Sequence, residues 1–100
     1  MRVARGNIYL SSALCALFFP HAPCVALIER EGHVLIVPLI EQSAGGLLLK
    51  LRNRAGDRVI HAQEFLRQRS DLGEFDEHIV KVRWSQEWSA LVLVDLPARL

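Results

Sequence analysis

A pattern of short elements that occurs twice is the feature that most constrains how this 100-residue chain can fold. In each copy the sequence predicts a strand, a short helix, a second strand, a tight turn and a third strand. A shift of 51 positions places residues 8–10 over residues 59–61 and matches the helices that follow. One copy of about 45 residues cannot bury its apolar side alone. We therefore expect one domain over residues 1–100, with 1–40 as the first half, 41–46 as a linker and 47–97 as the second half.

The predicted strands are runs of β-branched and aliphatic residues bounded by turn residues. They cover residues 8–10, 24–30, 33–39, 47–52, 58–62, 79–84 and 89–96. Glu31-Gly32 predicts a tight hairpin turn in which glycine takes a positive φ. Two halves that pair their open edges would give a β-rich α+β fold, a small closed barrel with approximate two-fold symmetry and two short helices.

The two helices are predicted over residues 13–19 and 63–69. Ser11 or Ser12 can cap the first helix and Pro20 ends it, whereas Gly73 is a candidate cap after the second. Arg2 and Arg5 before the apolar run 8–19 also have the pattern of a signal peptide, but no clear cleavage site follows. We therefore expect this segment to stay in the fold and the protein to be cytoplasmic, with export as the open alternative.

Charge is unevenly distributed although the formal net charge is only +1, from twelve Lys+Arg and eleven Asp+Glu. Ten of the twelve cations are arginines, whose planar guanidinium binds phosphate or carboxylate in a bidentate manner. Arginines gather near the start of each half, whereas an acidic stretch contains Asp71, Glu74, Asp76 and Glu77. A near-neutral chain of this kind can present a basic face opposite an acidic one.

The composition, 51% hydrophobic, excludes a disordered chain, and no apolar run reaches the ~18 residues that cross a bilayer, so we expect no membrane contact. The sequence contains no complete catalytic or metal-binding signature, and we predict neither an enzyme nor a cofactor. The histidines are isolated from one another, at His21, His33, His61 and His78. Cys15 and Cys24 match no zinc spacing, and we expect both to be small buried hydrophobic residues.

Three segments of the first half have an order of elements that is found in a known family: Gly6 to Leu14, Val25 to Glu29 and Gly32 to Pro38. A glycine, an apolar strand, a short helix and then a hairpin resemble the SpoVT/AbrB swapped-hairpin family. Residues 58–65 resemble a second, weaker copy, and two copies in one chain is the arrangement of the MraZ-type members. Ser11 stands where the family usually has proline, and Asn7 where it usually has a basic residue. The resemblance implies a swapped-hairpin barrel that binds double-stranded DNA and regulates transcription.

The resemblance places the DNA contacts on arginines near the start of each half. The candidate DNA-binding residues are Arg2, Arg5, Arg52, Arg54 and Arg58. At symmetry-related ends of a barrel they would reach phosphates or guanine edges, and the alternative is that they are solvated turn charges. Arginines clustered on one face would favour DNA.

The rival prediction is a small barrel that docks on another protein without nucleic-acid binding. It is favoured by the high apolar content and by the run Leu47-Leu48-Leu49, whose two faces are both apolar. An apolar patch with scattered arginines would favour this interpretation. In either case we expect a homo-oligomer.

Overall fold

The structure is a computed structural model that describes residues 1–40, 46–69 and 77–97. Across these residues two short helices accompany ten strands in two antiparallel sheets. The helices are α1 (Ser12–Phe18) and α2 (Gln63–Arg69). The strands are β1 (Arg2–Ala4), β2 (Asn7–Leu10), β3 (Cys24–Arg30), β4 (His33–Leu39), β5 (Leu47–Leu48), β6 (Lys50–Leu51), β7 (Arg58–His61), β8 (Glu77–Ile79), β9 (Val82–Ser85) and β10 (Ala90–Pro97). The sequence prediction of a β-rich α+β domain with two short helices is confirmed.

The predicted strands differ from the observed ones in three places. β1 was not predicted, because three residues beside a charged turn carry little strand signal of their own. The strand predicted over 47–52 is β5 and β6, and the strand predicted over 79–84 is β8 and β9, because each chain segment passes from one sheet to the other. Three predicted features lie outside the described residues: the linker apart from Gly46, the cap at Gly73, and the acidic residues before Glu77.

Sheet A has the strand order β6-β7-β2-β1-β8, and sheet B has the order β5-β3-β4-β10-β9. β5 pairs with β3 in sheet B, and only Leu49 separates it from β6, which pairs with β7 in sheet A. In the same way β8 pairs with β1 in sheet A and β9 pairs with β10 in sheet B. Strands from residues 1–40 are thus paired with strands from residues 47–97 in both sheets.

The larger of two hydrophobic clusters in the described residues is the core, and it contains side chains from both sheets. The inward residues of the central strands are fully buried in it, and they include Val3, Ile8, Val34, Ile36, Ile60, Leu91 and Leu93. Each helix adds a buried residue, Cys15 from α1 and Leu66 from α2. Both cysteines are free and buried, as the sequence predicted. Neither helix in the described ranges is long and apolar enough to cross a membrane.

The start of α1 is held by one local and one distant side chain. Ser11 is the N-cap, and its Oγ accepts a hydrogen bond from the backbone N–H of Leu14 at 3.1 Å. The Oδ1 atom of Asp57, in the turn between β6 and β7, accepts from the N–H of Ser12 at 2.9 Å. Two of the N–H groups that a helix start leaves without helical partners are therefore satisfied.

A glycine lets each helix begin against a hairpin turn formed by the other half of the chain. Gly6 has a φ of +79°, and a Cβ atom there would lie 2.7 Å from the Cβ of Gln63, the first residue of α2. Gly56 has a φ of +93°, and its Cβ would lie 3.2 Å from the Cβ of Ser12, the first residue of α1. The glycines that follow the paired arginines in the sequence thus serve both turn geometry and close packing.

Candidate nucleic-acid interface

A row of residues crosses the outer face of sheet A, the side turned away from the core. Strand alternation directs Ile8 and Leu10 of β2 into the core, so Tyr9 between them points outward. The register places one residue from each of the other four strands in line with Tyr9: Lys50, Val59, Arg2 and Ile79. Two of the five positions in this row are therefore cationic and one is aromatic.

Arg2 and Arg52 converge on the ring of Tyr9. The guanidinium carbon of Arg2 lies 4.4 Å from the ring centre, and that of Arg52 lies 4.8 Å from it. We call these three residues the arginine–tyrosine cluster. Contacts of this kind contribute about 0.5–1 kcal/mol each at exposed sites. Since both guanidinium carbons lie within 5 Å of one ring centre, they are less than 10 Å apart.

Asp57 organises the turn that carries Arg52. Its carbonyl oxygen accepts from the N–H of Arg52 at 2.8 Å, and its Oδ2 accepts from Nδ2 of Asn53 at 3.0 Å. The side-chain hydrogen bond from Asn53 and the backbone N–H of Ser12 hold the pKa of the Asp57 carboxyl below its usual value, and the nearby Arg52 adds to the effect. The backbone of Arg52 is therefore held in a hydrogen-bonded turn.

Tyr9 is held by a chain of side-chain hydrogen bonds across two strands. Nδ2 of Asn7 donates to the Tyr9 hydroxyl at 3.2 Å, and Nδ1 of His61 lies 3.1 Å from Oδ1 of Asn7. Because that amide oxygen can only accept, His61 Nδ1 is the donor. His61 is isolated in the sequence, and the pairing of Asn7 with His61 in the sheet gives it this partner.

The arginine–tyrosine cluster is bordered by two acidic residues, Glu77 and Asp57, and by a cleft. Nη1 of Arg2 lies 3.5 Å from Oε1 of Glu77, on the edge strand β8. Beside the cluster is a cleft of about 290 Å³, lined in part by Arg2, Tyr9, Arg52, Asp57 and Ile79. The cleft gives a ligand access to both arginines from the solvent side.

The five arginines predicted as DNA contacts fall into three groups by their location in the fold. Arg2 and Arg52 lie together in the cluster. Arg5, with a φ of 55°, is in the turn between β1 and β2, and Arg54 is in the turn between β6 and β7; both are exposed at opposite ends of sheet A. The structure does not bring Arg58 to this face.

Arg58 faces the other side of the sheet because it directly precedes Val59, which belongs to the outer row. Its Nη1 lies 3.5 Å from the carbonyl oxygen of Leu49, and it lines a cleft with Cys15 beneath α1. Burial raises the pKa of the Cys15 thiol, and the charge of Arg58 partly offsets that rise.

Three residues of the candidate interface were not predicted as site residues: Tyr9, Lys50 and Glu77. The alternation of Ile8, Tyr9 and Leu10 was a signal that Tyr9 points outward. No local signal could show that Arg52 would reach its ring, because that contact depends on how β2, β7 and β6 are aligned.

An apolar groove lies apart from these arginines. It has a volume of about 450 Å³ and is lined in part by Phe18, Trp84, Val37, Pro38 and Ile40. The Phe18 and Trp84 rings stack with their centres 5.4 Å apart, and Ile40 is 89% exposed. This surface is of the kind that favours the rival prediction of a protein partner.

No family model, curated protein or solved structure matches this chain. Within the described ranges, no three His, Cys, Asp or Glu side chains are grouped so that they could hold a metal ion. The arrangement of the cations on sheet A is therefore the feature that points to a function.

Proposed function

We propose that the protein binds double-stranded DNA through the outer face of sheet A and acts as a transcriptional regulator. The observation that carries the proposal is the convergence of Arg2 and Arg52 on Tyr9, in a row that also contains Lys50. Contact with the ring reduces the freedom of both guanidinium groups, so less entropy is lost when they bind a phosphate.

The placement of the turn arginines fits a duplex as well. Arg5 and Arg54 flank the cluster at the two ends of sheet A, separated by roughly 15–20 Å of strand and turn. A major groove is about 12 Å wide, so the two turns can reach the phosphate backbones on its two sides. In this arrangement the turn arginines would contact phosphates and so position the protein on the duplex.

The finer architecture belongs to the same proposal: sheets A and B form one closed, pseudo-two-fold barrel of the swapped-hairpin kind. The support is that hydrogen bonding continues where segments pass between the sheets. The N–H of Leu49 donates to Pro23 O at 3.0 Å, and the N–H of Val80 donates to Met1 O at 2.8 Å. The exchanged pairs β3–β5 and β1–β8 are also what two related, interlocked halves would make.

Fluorescence anisotropy with a labelled mixed-sequence duplex tests the proposal. We expect wild-type protein to bind at low salt and the double variant R2A/R52A to lose about tenfold or more in affinity. Each phosphate contact removed should also reduce the slope of log K against log salt by about 1. Circular dichroism checks that the R2A/R52A variant is folded.

The matched control is R30A/R83A, which removes the same charge from sheet B. Arg30 lies over the ring of Trp88 and Arg83 is exposed on β9, both on strands of the other sheet. We expect this control to bind DNA within about threefold of wild type at a given salt concentration. Equal losses in the two double variants, or no binding by wild-type protein to any duplex at low salt, would reject the proposal.

The second candidate function is a protein-interaction module, and the apolar groove at Phe18 and Trp84 is the observation in its favour. Under this alternative the arginines of sheet A are solvated charges and the groove receives a partner. The expected homo-oligomer is compatible with both candidates, and sedimentation velocity of wild type against I40E tests whether this surface contributes. A cytoplasmic location remains part of the regulator proposal.

A further inference from the structure

Glu77 places a carboxylate at the edge of the basic face of sheet A. β8 pairs with β1, and the register sets Glu77 opposite Ala4 and Ile79 opposite Arg2. Residues two apart in a strand share a face, so Glu77 and Arg2 lie diagonally on the same side of the sheet. Their side chains meet, with 3.5 Å between Oε1 and Nη1.

This ion pair is weak as a structural link. The two side chains are 60% and 37% exposed, and a contact of 3.5 Å is at the outer limit of hydrogen bonding. The backbone already joins the two strands, and the N–H of Val80 extends the ladder to Met1 O. Exposed pairs of this kind add little to stability. The Glu77 carboxylate is therefore not needed to hold β8 against β1, and its effect is to occupy a donor group of Arg2.

A carboxylate and a phosphate compete for the same guanidinium donors. We propose that Glu77 competes with a DNA phosphate for Arg2 within the same molecule, an inference that rests on the DNA-binding function proposed above. While the Glu77 carboxylate is paired with Arg2, it partly neutralises one of the two guanidinium groups of the arginine–tyrosine cluster. DNA must displace the carboxylate, so binding is weaker and more readily reversed than the cations alone would make it.

The test compares E77Q with E87Q in the duplex-binding assay. Glu87 is exposed in the turn between β9 and β10 of sheet B, so both substitutions remove one negative charge but only one removes it beside Arg2. We expect E77Q to bind about two- to fivefold more tightly than wild type, and E87Q to change affinity by less than about twofold. In the R2A background, E77Q should give no further gain.

Each result is decisive. Equal gains in E77Q and E87Q would show that only net charge matters and would overturn the inference. A gain from E77Q that persists in the R2A background would overturn it as well, because Glu77 would not act through Arg2. If wild type binds DNA and E77Q is unchanged, the inference fails while the proposed function stands. If no variant binds, both fail.

Discussion

Asp57 shows how much of the candidate interface depends on one residue. It accepts hydrogen bonds from the start of α1 and from Asn53 within its own turn, and its backbone carbonyl holds the N–H of Arg52. Because these contacts favour the charged carboxylate, its pKa is lower in the folded than in the unfolded protein. The stability that Asp57 contributes is therefore fully present above the unfolded pKa and is lost as pH falls through the folded pKa.

We predict that wild-type protein loses stability as the pH falls from about 5 to about 2, and that D57N loses less over the same interval. Urea unfolding followed by tryptophan fluorescence at several pH values measures the difference. E31Q, at an exposed carboxyl in the turn between β3 and β4, is the control and should follow wild type. If the wild-type and D57N curves were parallel, Asp57 would not be the group whose titration is linked to folding.

At the scale of elements, the contact between each hairpin turn and the helix of the other half depends on glycine. Gly6 and Gly32 have nearly the same φ, +79° and +81°, but a Cβ at Gly32 would meet nothing within 4 Å. Comparing a substitution at Gly6 with the same substitution at Gly32 therefore separates the effect of backbone conformation from the effect of packing. The N–H of Ala62 also donates to Gly6 O at 2.9 Å, so a displaced turn would disturb the start of α2.

We predict that G32A costs about 1–2 kcal/mol, the penalty of a left-handed conformation for an L-residue. G6A should cost roughly 1–3 kcal/mol more, because Gln63 and the helix backbone must move. G56A should lie between them, since its nearest contact is 3.2 Å. Chemical denaturation of the three variants gives the order, and equal losses in G6A and G32A would show that the turn and α2 separate freely.

At the scale of the whole molecule, neither predicted half has a complete set of strand partners. β3 of the first half pairs with β5 of the second, β1 pairs with β8, and the central contacts β2–β7 and β4–β10 also cross between the halves. Each half alone would expose these strand edges together with its share of the core. Folding is therefore expected to be one cooperative event that involves both halves.

We predict that fragments 1–43 and 44–100 are each unfolded when isolated and regain the β-sheet signal of the intact chain when mixed. Circular dichroism and one-dimensional NMR measure this, with the full chain as the reference. The mixture should unfold in one transition. Cooperative unfolding of either fragment by itself would contradict the interlocked arrangement.

The shift of 51 residues between the two copies illustrates what a pattern can and cannot show. It matches the first residues of the helices, Ser12 and Gln63. In the strands it places outward Tyr9 over Ile60, which is fully buried, whereas the sheet pairs Ile60 with the equally buried Ile8. A one-residue slip in a strand exchanges its two faces, so the strands require an even shift, such as 50 or 52.

The sequence by itself determined most of the elements and their faces, because hydrophobic periodicity, turn glycines and helix caps act over a few residues. This is why β3, β4 and α2 begin and end where they were predicted, and why Cys15 and Cys24 are buried. Only the tertiary structure decided which strands are neighbours and in what register. That choice depends on contacts between residues far apart in the sequence, and it alone joins Arg2 and Arg52 at Tyr9 and turns Arg58 away from them.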